Sequence, residues 1–219
     1  MGEFPDPLLG LALILAISAL PFLAIIATSY TKIVVILGLL RNAIGVQQLP
    51  PNLVLNAIAI ILSVFVMMPV IGQSTALLEK SGFYDKTSIR ITDLRSAIDV
   101  ASPPFREFLI KHTSPRERAN FNKAAQRLWS KDQVAQMRDD DFVVLLPAFM
   151  ATELTKAFQV GFLLYLVFVV IDLVVANVLL ALGMQMLSPV TISVPFKILL
   201  FVVMDGWSLL FQTLLLGYR

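Results

Sequence analysis

The charged residues of this chain crowd into its middle, and that distribution constrains the fold more than any motif does. Of the 17 basic and 15 acidic residues, 4 fall in residues 1–77, 22 in residues 78–142 and 6 in residues 143–219. Leu8 to Thr31 carries no charge, Lys32 follows, and Ile33 to Leu40 is again uncharged up to Arg41. A second apolar stretch runs from Leu53 to Leu78. A third, Ala157 to Leu187, is interrupted only by Asp172, and a fourth, Ile192 to Tyr218, by Lys197 and Asp205. A hydrocarbon core about 30 Å thick is crossed by about 20 apolar residues in a helix. Inside it every backbone polar group must find its partner within the protein. The pattern predicts an all-α integral membrane protein with four apolar helical segments and a small helical extracytoplasmic domain between segments two and three.

The expected organisation is N-terminal membrane or hairpin helices over 1–78, a polar helical domain over 79–142, and C-terminal membrane or hairpin helices over 143–219. Composition agrees, at 58% hydrophobic and 15% charged residues, against about 45–50% and about 25% in soluble domains. Disorder requires low hydrophobicity and high net charge, and is excluded. Two details disturb a picture of four straight spans. Leu8 to Leu40 is too long for one crossing and contains Pro21. Asp172 is expected to split the third stretch into two pieces of the length of buried or re-entrant segments. Bent or hairpin-paired helices are therefore expected.

Lys and Arg in short loops set orientation. The N-terminal tail has Glu3 and Asp6 but no basic residue, whereas the first connection is bounded by Lys32 and Arg41. The first loop is thus expected in the cytoplasm and residues 79–142 in the periplasm. The 12 basic residues of that middle do not reverse the assignment, because long segments are translocated largely regardless of charge. The acidic tail and long apolar run do not read as a secretory signal, whose apolar core is about 7–15 residues.

Within the middle, Phe105, Phe108, Leu109 and His112 follow Ser102-Pro103-Pro104 at helical spacing and predict a helix starting there. Ser114-Pro115-Arg116-Glu117 has the spacing of a capping box with proline in the first turn. It is expected to open a helix with Phe121, Ala124, Ala125, Leu128 and Trp129 on one stripe. Asp139, Asp140 and Asp141 precede the next apolar run, where carboxylates favour a helix N-terminus. Two short amphipathic helices close little core by themselves, so a docking surface between protomers is weighed beside a plain solvated domain.

Cysteine is absent and histidine occurs once, at His112, so neither thiolate nor multi-histidine metal sites are expected. Phosphate-binding, dinucleotide-binding, nucleophile-elbow and zinc-protease motifs do not occur, and the acidic triplet lacks the spacing of a calcium loop. No catalytic, cofactor or metal site is expected, and the chain is not expected to be an enzyme. A net charge of +2 is not a nucleic-acid footprint, which needs basic residues clustered on one face. The candidates that remain are charges in apolar surroundings, Lys32, Arg41, Glu153, Lys156, Asp172, Lys197 and Asp205. Such groups face protein or water, and they are expected to be interior or inter-subunit charges, because a single chain has few partners to offer them. Gly183-Met184-Gln185-Met186-Leu187-Ser188-Pro189 closes the third stretch at a break between helices. Methionine fills irregular gaps, so core packing is weighed there against a pore-facing loop.

Three stretches together are specific: Thr28 to Lys32 continuing through Leu40-Arg-Asn-Ala-Ile-Gly-Val-Gln-Gln-Leu-Pro-Pro-Asn52, Pro147 to Phe162, and Ser188 to Lys197 running into Asp205-Gly-Trp207. With the order apolar block, polar domain, apolar block, the chain resembles the FliP/SctR family, the export-gate protein of bacterial type III secretion systems. The resemblance implies a non-enzymatic inner-membrane protein that assembles as a pentamer with two small membrane partners, the Q-type (SctS) and R-type (SctT) subunits. It implies a pore through which unfolded proteins are exported, with Met184, Gln185 and Met186 in the place of a methionine-rich gasket. The missing signal sequence favours the injectisome branch over the flagellar one. A stand-alone ion-coupled transporter or channel is the alternative reading of the same interior charges.

Overall fold

The computed structural model describes residues 7–46, 49–85, 91–184 and 186–219. Its regular elements, among the described residues, are all helical: α1 (Pro7–Ala27), α2 (Tyr30–Ile44), α3 (Asn52–Lys80), α4 (Ile91–His112), α5 (Pro115–Leu128), α6 (Lys131–Gln136), α7 (Phe142–Ala181), α8 (Pro189–Val203) and α9 (Gly206–Leu216). A 3-10 turn, Phe83–Asp85, follows α3. The protein is an all-α membrane protein. α3 and α7 are each long and apolar enough to cross a bilayer, and the bent pairs Pro21–Ala27 with Tyr30–Ile44 and α8 with α9 qualify if each counts as one span. With a rise of 1.5 Å per residue, the 40-residue α7 is about 60 Å long, twice the hydrocarbon thickness.

The long first run is divided at residues 28–29 rather than at Pro21, which lies inside α1. There the Thr28 hydroxyl donates to the carbonyl of Ala24 in the last turn of α1. The expected division of the third stretch does not occur, since α7 runs without interruption through Asp172. Aspartate in a helix interior costs at most about 0.7 kcal/mol in propensity, and the carboxylate has partners described below.

Contacts divide the chain into two units, Met1–Ser29 with Met67–Glu153, and Tyr30–Val66 with Leu154–Arg219. In the first unit α1 packs on α4. Phe108, Leu109 and His112 of α4 are buried, as are Val144, Leu145, Ala148 and Phe149 at the start of α7, and the rings of Phe108 and Phe149 are 5.9 Å apart. α4 begins at Ile91, not after Ser102, and carries Pro103 and Pro104 in its interior. Proline 103 cannot donate to the Asp99 carbonyl one turn back. The Ser102 hydroxyl takes that carbonyl instead, at 3.3 Å, and Ser74 Oγ on α3 donates to the Ala101 carbonyl at 2.8 Å.

α5 starts where expected, with Ser114 as N-cap and Pro115 in the first turn, but no capping box forms. The Ser114 backbone N–H donates to Thr152 Oγ1 at 3.1 Å, which leaves the Glu117 side chain nothing to receive there. The box is found at α6, where the Ser130 side chain and Gln133 cap each other reciprocally. On the expected α5 stripe Ala125 is buried, whereas Leu128 is 80% exposed.

The second unit has a hydrophobic core of Ile33, Ile36, Leu37, Leu40, Ala43 and Ile44 from α2, Leu55 and Ala59 from α3, Ala157 and Phe168 from α7, and Leu210 and Leu214 from α9. Gly161 permits the approach of α7 to α2. A Cβ at that position would lie 2.2 Å from Leu39 Cδ1.

Candidate functional site: interior charges and a methionine-bearing turn

α7 ends in a defined hydrogen-bond pattern. The Gly183 N–H donates to the Leu180 carbonyl at 3.0 Å and the Met184 N–H to the Leu179 carbonyl at 2.9 Å. Gly183 has φ +72°, so the two bonds and the left-handed glycine make a Schellman end. Three residues beyond Gly183, Met186 is 100% exposed, and Met184 is also exposed. Gln185 lies outside the described residues. After Ser188 as N-cap and Pro189 in the first turn, α8 begins. Between α7 and α8, Met184 and Met186 thus present two flexible thioether side chains that the described residues leave exposed.

The start of α8 is anchored by a polar cluster in the second unit. Lys197 is 2% exposed, and its Nζ lies 2.7 Å from Asp172 Oδ2 on α7. The same ammonium donates to the Ala43 carbonyl at 3.1 Å. That carbonyl is one of the last four of α2, which have no intrahelical donor, and a cation there is favoured by the helix dipole. Ser193, one turn before Lys197, donates its hydroxyl to Asp172 Oδ1. Asp172 and Lys197 therefore find partners within one chain, where few were expected. Ser193 was not among the sequence candidates, though its i, i+4 spacing to Lys197 was a signal that both share a helix face.

The other candidate charges are dispersed. Lys32, buried at the start of α2, places Nζ 3.5 Å from the centroid of the Tyr218 ring, a cation–π contact. Arg41 donates to Asn52 Oδ1 at 2.6 Å and to the Pro50 carbonyl at 3.3 Å, closing the connection from α2 to α3. Glu153 is fully buried, while Lys156, one turn later on α7, is half-buried. Asp205 is not interior. It is exposed at the corner between α8 and α9, which meet at a 63° bend.

In the polar middle each carboxylate of the acidic triplet has a partner. Asp139 Oδ1 accepts from Asn122 at 2.9 Å, and Asp141 Oδ2 accepts from the Arg138 N–H at 2.8 Å. Asp140 pairs with Arg106 on α4 at 3.0 Å and with Arg138 at 3.1 Å. The hydrogen bond from Arg106 holds the Asp140 carboxyl below its usual range, helped by the charge of Arg138 and opposed by partial burial. These contacts tie α4 and α5 to the entry of α7. Among the described residues no group of three or more histidine, aspartate or glutamate side chains is placed to hold a metal ion.

The FliP family model matches residues 13–214, a span that contains the interior charge cluster and the methionine turn. The chain belongs to the FliP family. Three relatives match it nearly end to end. The hypersensitivity response secretion protein HrcR of Ralstonia nicotianae is 56% identical over 204 residues, covering 93% of this chain and 94% of that protein. The Yop proteins translocation protein R of Yersinia pestis is 42% identical, covering 100% and 99%. The virulence protein YscR of Salmonella typhimurium is 39% identical, covering 94% and 95%. Within this FliP-family chain, the segments Thr28–Asn52, Pro147–Phe162 and Ser188–Trp207 all fall inside the matched span.

Proposed function

We propose that this FliP-family chain is an inner-membrane subunit of a type III secretion export gate of the injectisome kind. The carrying observation is its near full-length likeness to relatives named for secretion and translocation. The subunit forms a homo-oligomer, a pentamer by resemblance, with the small SctS and SctT membrane subunits, and unfolded proteins leave the cytoplasm through the resulting pore. Residues 79–142 face the periplasm. Transport, not catalysis, is the activity, and it needs no cofactor.

In this reading Met184, Gln185 and Met186 seal the closed pore. Exposed thioethers between two helices suit a gasket, because they adapt to an irregular opening. The Asp172–Lys197 pair holds the turn's downstream helix in place. Purification in mild detergent tests the assembly: a ring-like oligomer retaining small membrane subunits is expected, and a monodisperse monomer that moves ions in liposomes would establish the transporter alternative instead. For the gasket, Met184→Ala with Met186→Ala is expected to leave assembly intact and raise ion leakage. Unchanged leakage removes that role.

A further inference from the structure

We propose that the corner between α8 and α9 docks an apolar helix of a different polypeptide chain, and that Asp205 anchors it by receiving a lysine or arginine. The inference rests on the reading above, that this chain works as one subunit among several.

Asp205 sits midway along a stretch, 192–218, whose only other charge is Lys197. Its carboxylate is exposed and has no hydrogen bond or ion pair among the described residues, not even to the first turn of α9, which it precedes as N-cap. Around it Val202, Val203, Met204 and Leu209 are more than half exposed. The corner is therefore an apolar patch with one uncompensated negative charge at its centre. In lipid or in a protein interface such a charge is costly until paired.

The φ of Asp205, +50°, is left-handed, a conformation that glycine, asparagine and aspartate all enter, so the backbone accounts for a short polar residue here but not for its charge. The carboxylate is spare with respect to both backbone and capping. The elbow next to it is closely packed. A Cβ on Gly206 would lie 2.4 Å from the Phe201 ring, and Phe201 stacks edge-on against Trp207 with centroids 5.3 Å apart. The elbow can neither take a larger residue at 206 nor rotate freely.

The cation must come from another chain. Of the basic residues in the two apolar blocks, Lys197 is bound to Asp172 and Ala43, Lys32 to Tyr218, and Arg41 to Asn52 and Pro50. Lys156 is engaged within the chain. A second copy brings the same occupied set from its apolar blocks and only Arg219 beside it, whereas a helix of different sequence can carry a lysine or arginine anywhere along its length, which favours it as the occupant.

The test uses the full chain in its native membranes, with a photo-crosslinking phenylalanine analogue placed at Met204. The expected result is an adduct with a membrane polypeptide of different sequence, whose crosslinked peptide contains a lysine or arginine. Asp205→Asn keeps the left-handed backbone and removes only the charge, and Asp205→Gly relieves the backbone as well. Each is expected to lower the adduct about tenfold or more. Neutralising the mapped cation should produce the same loss, with no further loss when combined with Asp205→Asn, the signature of a direct pair. An undiminished adduct in both Asp205 variants overturns the proposal. So does an adduct made only with a second copy of this chain, or no protein adduct at all. Secretion measured in the same cells separates the two readings: export that persists without any adduct overturns the docking site and leaves the export function standing.

Discussion

Lys197 Nζ lies 2.7 Å from Asp172 Oδ2 and 3.1 Å from the Ala43 carbonyl, so one buried ammonium joins α8 to α7 and to the C-terminal end of α2. Three helices of the second unit share this contact, and the methionine turn lies between two of them.

Removing either partner leaves the other charge buried or half-buried without compensation. Breaking a buried pair in this way costs about 3–5 kcal/mol, and the lower end applies because the Asp172 side chain is 25% exposed. Asp172→Asn and Lys197→Met are each expected to lower the detergent unfolding temperature. The double change to Asp172→Leu with Lys197→Met should recover much of the loss, because well-packed apolar replacements are often neutral. Thermal unfolding followed by circular dichroism decides, and a double variant no better than either single one would refute the pairing energetics.

Gly161→Ala forces a methyl group into Leu39, whose Cδ1, Cβ and Cγ lie 2.2, 3.1 and 3.2 Å from the new atom. Overpacking of this kind costs about 1–3 kcal/mol. The variant is expected to be less stable than the parent, and Leu39→Ala is expected to relieve part of the defect. Equal stability of Gly161→Ala and the parent would show that α2 and α7 separate without cost.

Asp140 sets a pH dependence whose sign follows from Arg106. Its folded pKa lies below the ordinary 3.8, so the Arg106 contact stabilises the folded protein fully above that value. The contribution is lost as pH falls from about 3.8 through the lowered folded pKa. Acid unfolding monitored by tryptophan fluorescence should therefore show a component in that window that Asp140→Asn abolishes. An acid transition identical in the two proteins would assign it to other carboxylates.

Lys123 is exposed on α5, and the chain has no cysteine, so Lys123→Cys gives a single labelling site. In intact cells with a permeabilised outer membrane, an impermeant thiol reagent is expected to label it from the periplasmic side. Labelling only after inner-membrane lysis would invert the topology.

The start of α5 at Ser114-Pro115 and the end of α7 near Gly183 were legible because they depend on a few adjacent residues: a serine, a proline, a left-handed glycine. Ser114's capping box was not, because Thr152, 38 residues away, claims its N–H. The helical reading of Phe105 to His112 was correct in period but late in its start, since prolines that look like a boundary are tolerated once Ser102 supplies the missing donor.

What the sequence by itself determined was the architecture of charge: apolar helices on either side of a polar helical middle, a handful of ionisable residues that are costly to leave unpaired in apolar surroundings, and the family, through motifs along the whole chain. Those properties are local or additive, so they survive without coordinates. Only the tertiary structure decided which charges meet. Asp172 and Lys197 are 25 residues apart, and that spacing says nothing of their contact until α7 and α8 fold against each other. The same holds for Asp205, whose exposure distinguishes it from Lys197 although both interrupt the same apolar stretch. Pairing depends on distance in space, and in a helical protein that distance is set by how the helices pack.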